Sequence, residues 1–227
     1  MTPLPIADDA LIAAQRLLAW VSRAPTMEED VALANIALDQ LGVARALLAS
    51  LGDEDELAFR REDHEFRNCL LVELPDDPGG GVWGDFGLLT AKLLFVAAYQ
   101  KVLYDRLADS GPGVLGEVAA KARKESAYHL DHATQWTLRL GDGTAASHAR
   151  VQDAVTALWP YTHELTGFVD RADWLAVVEP VLAKATLERP ADGWAPAGGR
   201  DGRHTEHLSY LLAEMQSTHR AHPGATW

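Results

Sequence analysis

Of 227 residues, 48% are apolar, enough to fill a continuous core rather than leave a disordered polymer. Thirty-three acidic residues against twenty basic ones give a formal charge of −13, and no Lys/Arg stripe offsets it, which excludes a phosphate backbone as partner. Cys69 is the only cysteine, so an internal disulfide and a thiolate metal cluster within one chain are ruled out.

The length fits one domain, expected over residues 1–227, with a core bundle over about 9–140 and flanking helices over about 144–220. The N-terminal segment has no basic stretch leading into an apolar run, and the longest unbroken apolar stretch, Leu93 to Tyr99, is too short to span a bilayer. With one cysteine, this predicts a cytoplasmic protein without membrane or nucleic-acid contact.

Apolar spacing of three and four predicts helix almost throughout. From Asp9 the run Leu11, Ala14, Leu17, Leu18, Val21 is closed by Pro25. Thr26 opens a second helix, with Glu29 completing a capping box. Its stripe is Val31, Ala34, Leu38, Leu41 and Leu48, widened by Leu33, Ile36 and Ala37 until burial on several sides is expected. A charged loop, Gly52 to Glu56, leads to a short helix near Glu62 to Val72, and Pro75 to Gly81 breaks the chain. Long helices follow over about Phe86 to Ala108 and Val114 to Leu140, separated by Gly111-Pro-Gly113. Thr144 caps a fifth helix that ends near Trp159-Pro160, a sixth covers roughly Asp170 to Leu187, and a last one runs from about Thr205 to Arg220. The expected fold is all-α: a ferritin-like long four-helix bundle with additional flanking helices.

Such bundles can hold a di-iron carboxylate centre, built from a Glu on each of two helices and a Glu-x-x-His on each of the other two. The spacing of three puts both ligands on one helical face. No glutamate in this chain has a histidine three residues later, and the only Asp-x-x-His, Asp201 to His204, lies in a glycine-containing loop. Two segments look like remnants. Asp39-Gln40-Leu41-Gly42-Val43 has the outline of Asp-Glu-x-Gly-His with both ligands replaced, and Lys124 to His129 that of Lys-Glu-Glu-x-x-His with Ser126 in place of the second Glu. One imidazole, His129, cannot hold two irons.

The stretch Glu28 to Gly42 resembles the C-type, structural component of bacterial phenylacetyl-coenzyme A epoxidase, a multicomponent oxygenase. Glu65 to Glu73, Lys124 to His129, Arg139 to Thr144 and the tail from His204 to Trp227 resemble it in the same order, so the likeness spans nearly the whole chain. It implies a ferritin-like, non-catalytic structural subunit with no cofactor. Its partner would be the homologous catalytic subunit that keeps the di-iron site, with a small bridging subunit and a reductase as further members of the complex. Gly79 to Gly84 looks longer than the family's pattern, and Ala127 stands where a larger residue is expected.

Each polar feature also has a plainer reading. Asn35 and Asp39 are remains of a metal site or a satisfied polar pair inside the bundle, at least one of them buried; basic or amide groups should then fill the place of iron. His129 and His132, with Glu125, are single-metal ligands or interface histidines. Glu62, Asp63 and Glu65 read as a solvated or salt-bridging face. Adjacent Glu206 and His207 diverge on a helix, which argues against a metal triad with His204. Cys69 reads as a buried structural thiol, and the seven tryptophans as core and interface anchors, Trp227 docking on a neighbour. The rival to the subunit reading is a stand-alone metal-dependent enzyme using Asp39, Glu65, Glu125, His129 and His132, and a third option is a self-associating binding module.

Overall fold

The computed structural model describes residues 2–76 and 85–225. The glycine-rich run Gly79 to Gly84 and the terminal Trp227 lie outside the described residues. The chain is all-α, as expected of a ferritin-like bundle. In order, the helices are α1 (Leu4–Leu18), α2 (Met27–Ala49), α3 (Glu54–Phe59), α4 (Leu70–Glu73), α5 (Phe86–Ala108), α6 (Val114–Gly141), α7 (Ala145–Leu158), α8 (Thr162–Leu165), α9 (Arg171–Lys184), α10 (Glu206–Met215) and α11 (Ser217–Ala221). They divide into two compact units, one of residues 1–75 and 197–227, the other of residues 76–196.

In the first unit α1 packs along α2. α1 begins at Leu4, earlier than Asp9, because Pro5 is tolerated in a first turn whose N–H groups lack partners. It stops at Leu18: Ser22 adopts a left-handed conformation (φ 75°), and the Asp30 carboxylate accepts hydrogen bonds from Ser22 N–H and Ala24 N–H, both 3.0 Å. Thr26 caps α2 as expected, its hydroxyl accepting from Glu29 N–H at 3.3 Å. The buried side of α2 carries Leu33, Ile36, Ala37, Gln40, Val43, Ala44, Leu47 and Leu48. Val31 and Leu38, expected in the core, are exposed, so the chain covers this helix on one side only. The predicted charged loop is α3, whose Asp53 caps the N–H groups of Asp55 and Glu56, with an acidic first turn on the positive end of the helix.

The helix expected over Glu62 to Val72 is instead a 3₁₀ turn at Asp63–Glu65, an extended strip through Cys69 and the single turn α4. Helix is defeated there because side-chain carboxylates take the backbone donors. Asp8 accepts from Arg67 N–H (2.8 Å) and Asp9 from Cys69 N–H (2.7 Å). The last helix is interrupted at Gln216, whose buried amide donates to the carbonyls of Ala58 (3.2 Å) and Arg61 (3.0 Å).

The second unit is built on the α5–α6 hairpin, against which α7 and α9 pack. α5 is buried almost continuously from Gly87 to Gln100. By length and composition alone α2 and α5 are long and apolar enough to cross a membrane, because hydropathy averaged over 18 residues tolerates an isolated Lys92 or Asp39; a buried core helix meets the same description. In α5, 83% of that apolar window is buried, against 44% in α2. Lys92 is admitted to the interior by an ion pair with Asp76 (2.5 Å), and the Asp76 carbonyl accepts from Asp85 N–H (2.7 Å).

Phe95, Trp159 and Trp174 form a buried aromatic cluster with ring centroids 5.5–5.7 Å apart. Trp174 Nε1–H donates to the Phe95 carbonyl (3.0 Å) and Trp159 Nε1–H to Asp192 (3.0 Å), while the Arg171 and Arg189 guanidiniums lie over the rings. Burial disfavours the charge on Asp192, but hydrogen bonds from Arg171 and Trp159 and the charges of Arg171 and Arg189 outweigh it and hold its pKa at about 2. Burial and the Arg171 charge push His163, beside it, below its ordinary value, so it is neutral at pH 7. α6 ends against α9, where a Cβ on Gly141 would stand 2.3 Å from the Ala185 carbonyl oxygen.

Gly141→Ala should therefore cost about 1–3 kcal/mol, read as a lowered denaturation midpoint, because backbone rather than a flexible side chain blocks the methyl group. A carboxyl held below its unfolded value of 3.8 stabilises the fold fully above about pH 4 and loses that contribution as pH falls towards about 2. Thermal melts of Asp192→Asn should thus fall below those of the parent at pH 7, and the gap should close between pH 4 and pH 2.

Candidate functional site

The positions that have the outline of metal-ligand motifs are buried. On α2, Gln40 and Val43 are buried and three residues apart; on α6, Ser126 and His129 repeat that spacing, also buried. Asp39 is half-buried, and Asn35 is exposed, so the expectation that one of this pair is fully buried fails: α2 turns its opposite side inward. Ser126 donates its hydroxyl to the Arg123 carbonyl (3.1 Å). Neither pair, a carboxamide and an isopropyl group on α2 or a hydroxyl and one imidazole on α6, includes a carboxylate that could bridge two irons. Among the described residues no three His, Cys, Asp or Glu side chains are grouped to hold a metal ion.

The rival ligands stand in ordinary roles. Glu65 is exposed and accepts from Glu62 N–H (2.8 Å), Glu62 pairs with Arg220 (3.0 Å), and Asp63 accepts from the Ser209 hydroxyl (2.6 Å). That hydroxyl and the His64 N–H hold the Asp63 carboxyl below the usual carboxylate range. Glu125 and His132 are half-buried on α6. Cys69 is a fully buried free thiol, and Trp20, Trp159 and Trp174 are core residues, whereas Trp194 is 77% exposed.

What sequence reasoning missed is a buried charge network in the first unit. Arg61 grips Asp8 through both guanidinium nitrogens. Arg200 grips Asp9 likewise (2.9 and 2.7 Å) and also donates to the carbonyls of Pro5 and Arg67. Glu73, fully buried, accepts from Asn68 (2.8 Å), from Thr205 N–H (2.7 Å) and from His204 Nδ1 (2.7 Å), while His204 Nε2 faces the Phe66 carbonyl at 3.1 Å. Both ring nitrogens of His204 thus face oxygen atoms, and Glu73 takes two further donors besides. The network joins α1, the extended strip, α4 and the segment before α10. Every carboxylate in it is matched to a cation or a backbone donor, which leaves no open coordination position. Its one sequence signal was adjacent Asp8 and Asp9 inside an apolar run, since buried carboxylates require partners.

Arg61→Ala strands Asp8 in the interior, and chemical denaturation should show a loss of about 3–5 kcal/mol. Removal of solvent-exposed Arg45, paired with Glu54 at 2.8 Å, should cost under about 1 kcal/mol in the same assay.

A family described as phenylacetic acid catabolic protein matches residues 2–227. Over 247 aligned positions the chain is 40% identical to the C-type component of 1,2-phenylacetyl-CoA epoxidase from Escherichia coli (strain K12), covering 99% of this chain and 97% of that protein. Likeness of that extent, carried through both compact units, makes the chain a member of the phenylacetic acid catabolic protein family.

Proposed function

We propose that this chain is the non-catalytic structural subunit of a multicomponent oxygenase that epoxidises the aromatic ring of phenylacetyl-coenzyme A. It would pair with a homologous di-iron subunit, alongside a small bridging subunit and a reductase. The observation that carries this reading is the set of buried residues at the remnant ligand positions, Gln40, Val43, Ser126 and His129, in a chain 40% identical to an epoxidase subunit. A helix that once carried ligands keeps its inward packing when the ligands are replaced by neutral groups, so the scaffold survives while the chemistry moves to the partner. On this reading the chain works by covering a helical face of the catalytic subunit that would otherwise leave apolar and backbone groups to water.

Two measurements test it. The purified, folded chain from metal-replete cells should hold essentially no iron, and mixing it with the di-iron subunit should restore stability and turnover that the di-iron subunit lacks alone. About two irons per chain, or a di-iron subunit that is stable and fully active without this chain, would sink the proposal.

A further inference from the structure

α2 is apolar on more sides than its own chain covers. Met27, Val31, Ala34, Leu38, Leu41 and Arg45 follow the alternating four-three spacing of a helix–helix seam. Met27, Val31 and Leu38 are 79%, 57% and 59% exposed, on the side away from buried Leu33, Ile36 and Leu47. Scattered apolar residues at a surface need no account, but three large ones in register on one helix do. Towards its C-terminal end the seam meets a cavity of about 440 Å³ lined by Leu41, Arg45, Leu48, Ala58, Phe59 and His219, where the Phe59 and His219 rings stack 4.0 Å apart. Gly42 borders the seam, and a Cβ there would meet nothing within 4 Å. The chain's own packing thus gives no reason for glycine in mid-helix, where alanine is the better helix former; bare backbone there lets a neighbouring helix come close.

We propose that this seam and cavity are the docking surface for a preformed basic α-helix of the di-iron subunit, an inference that rests on the subunit reading above. Charge selects the occupant. Before Arg45 the ionisable residues of α2 outside its buried side are all acidic, Glu28, Asp30 and Asp39, and Arg45 is already paired with Glu54. A second copy in antiparallel register would set Glu28 and Asp30 towards Glu54 and Asp55, and in parallel register like would face like, under a charge of −13 on each copy. A bilayer with anionic headgroups meets the same repulsion. The seam covers only about two and a half heptads, too few to order an unfolded peptide, so the matching element is a helix already held in a folded subunit, with Lys or Arg towards exposed Glu28.

The test is calorimetric titration of the purified chain with the purified di-iron subunit, using Val31→Glu/Leu38→Glu and Gly42→Ala. Both variants alter exposed positions, and unchanged helical dichroism and a cooperative melt confirm that they fold. The double variant should bind about 100-fold more weakly or worse, as expected when buried anchors become charged. Gly42→Ala should raise the melting temperature of the free chain yet weaken binding about tenfold. If the parent chain does not bind the di-iron subunit, the subunit reading itself falls. If the parent binds and both variants bind as tightly, that reading stands and the docking surface is overturned. Concentration-dependent dimerisation of the parent that the double variant abolishes, with partner binding intact, would assign the seam to a second copy. Flotation of the parent but not the double variant with phosphatidylcholine–phosphatidylglycerol vesicles, partner binding again intact, would assign it to a bilayer.

Discussion

The first unit depends on one constraint: three carboxylates, Asp8, Asp9 and Glu73, are carried into an apolar interior and must be matched there. Asp8 and Asp9 sit between Ile6 and Leu11 on a helix buried continuously from Ile6 to Ala14, about two and a half turns. Their partners come from far along the chain, Arg61 and Arg200, and from the backbone N–H groups of Arg67 and Cys69. Satisfying these acids forces residues 66–69 to run extended, and it draws the segment around residue 200 back onto a unit that begins at the N-terminus. The discontinuity of that unit follows from charge matching as much as from apolar burial.

In the second unit, packing dominates and charge is confined to its margins. α5 is apolar round most of its circumference, so neighbours must cover it on every side, and the aromatic cluster of Phe95, Trp159 and Trp174 locks α9 and the end of α7 against it. The polar edge of that cluster is Asp192, which receives Trp159 and Arg171 together (3.0 and 2.6 Å) and fixes the loop ahead of residue 196. Lys92 is the one lysine buried among the described residues of α5, and its pairing with Asp76 shows the same rule at smaller scale.

The two faces of α2 differ in character. Its inward face buries Gln40 and Val43, which stand one turn apart. Its outward face remains apolar and unpaired by its own chain. An apolar face of this kind is suited to association.

Much of the architecture was legible in the sequence because its signals are local. The bounds of α5 and α6, the caps at Thr26 and Thr144, and the stop at Trp159-Pro160 follow from spacing, cap chemistry and the absence of a proline N–H. The missing Glu-x-x-His was equally plain, since ligation by two turn-spaced side chains needs those residue types whatever the fold. Three things were decided only in three dimensions. The extended strip after Glu65 reflects hydrogen bonds from carboxylates about sixty residues away, which no local propensity encodes. The choice of which side of α2 is buried could not be read from a helix apolar nearly all round, because a weak periodicity leaves its rotation to the neighbours. The roles of Arg61 and Arg200 as counter-charges, and of His204 as a hydrogen-bond partner, likewise appear only once the chain brings them to Asp8, Asp9 and Glu73, since the cost that selects them, desolvation of a carboxylate, exists only in the folded interior.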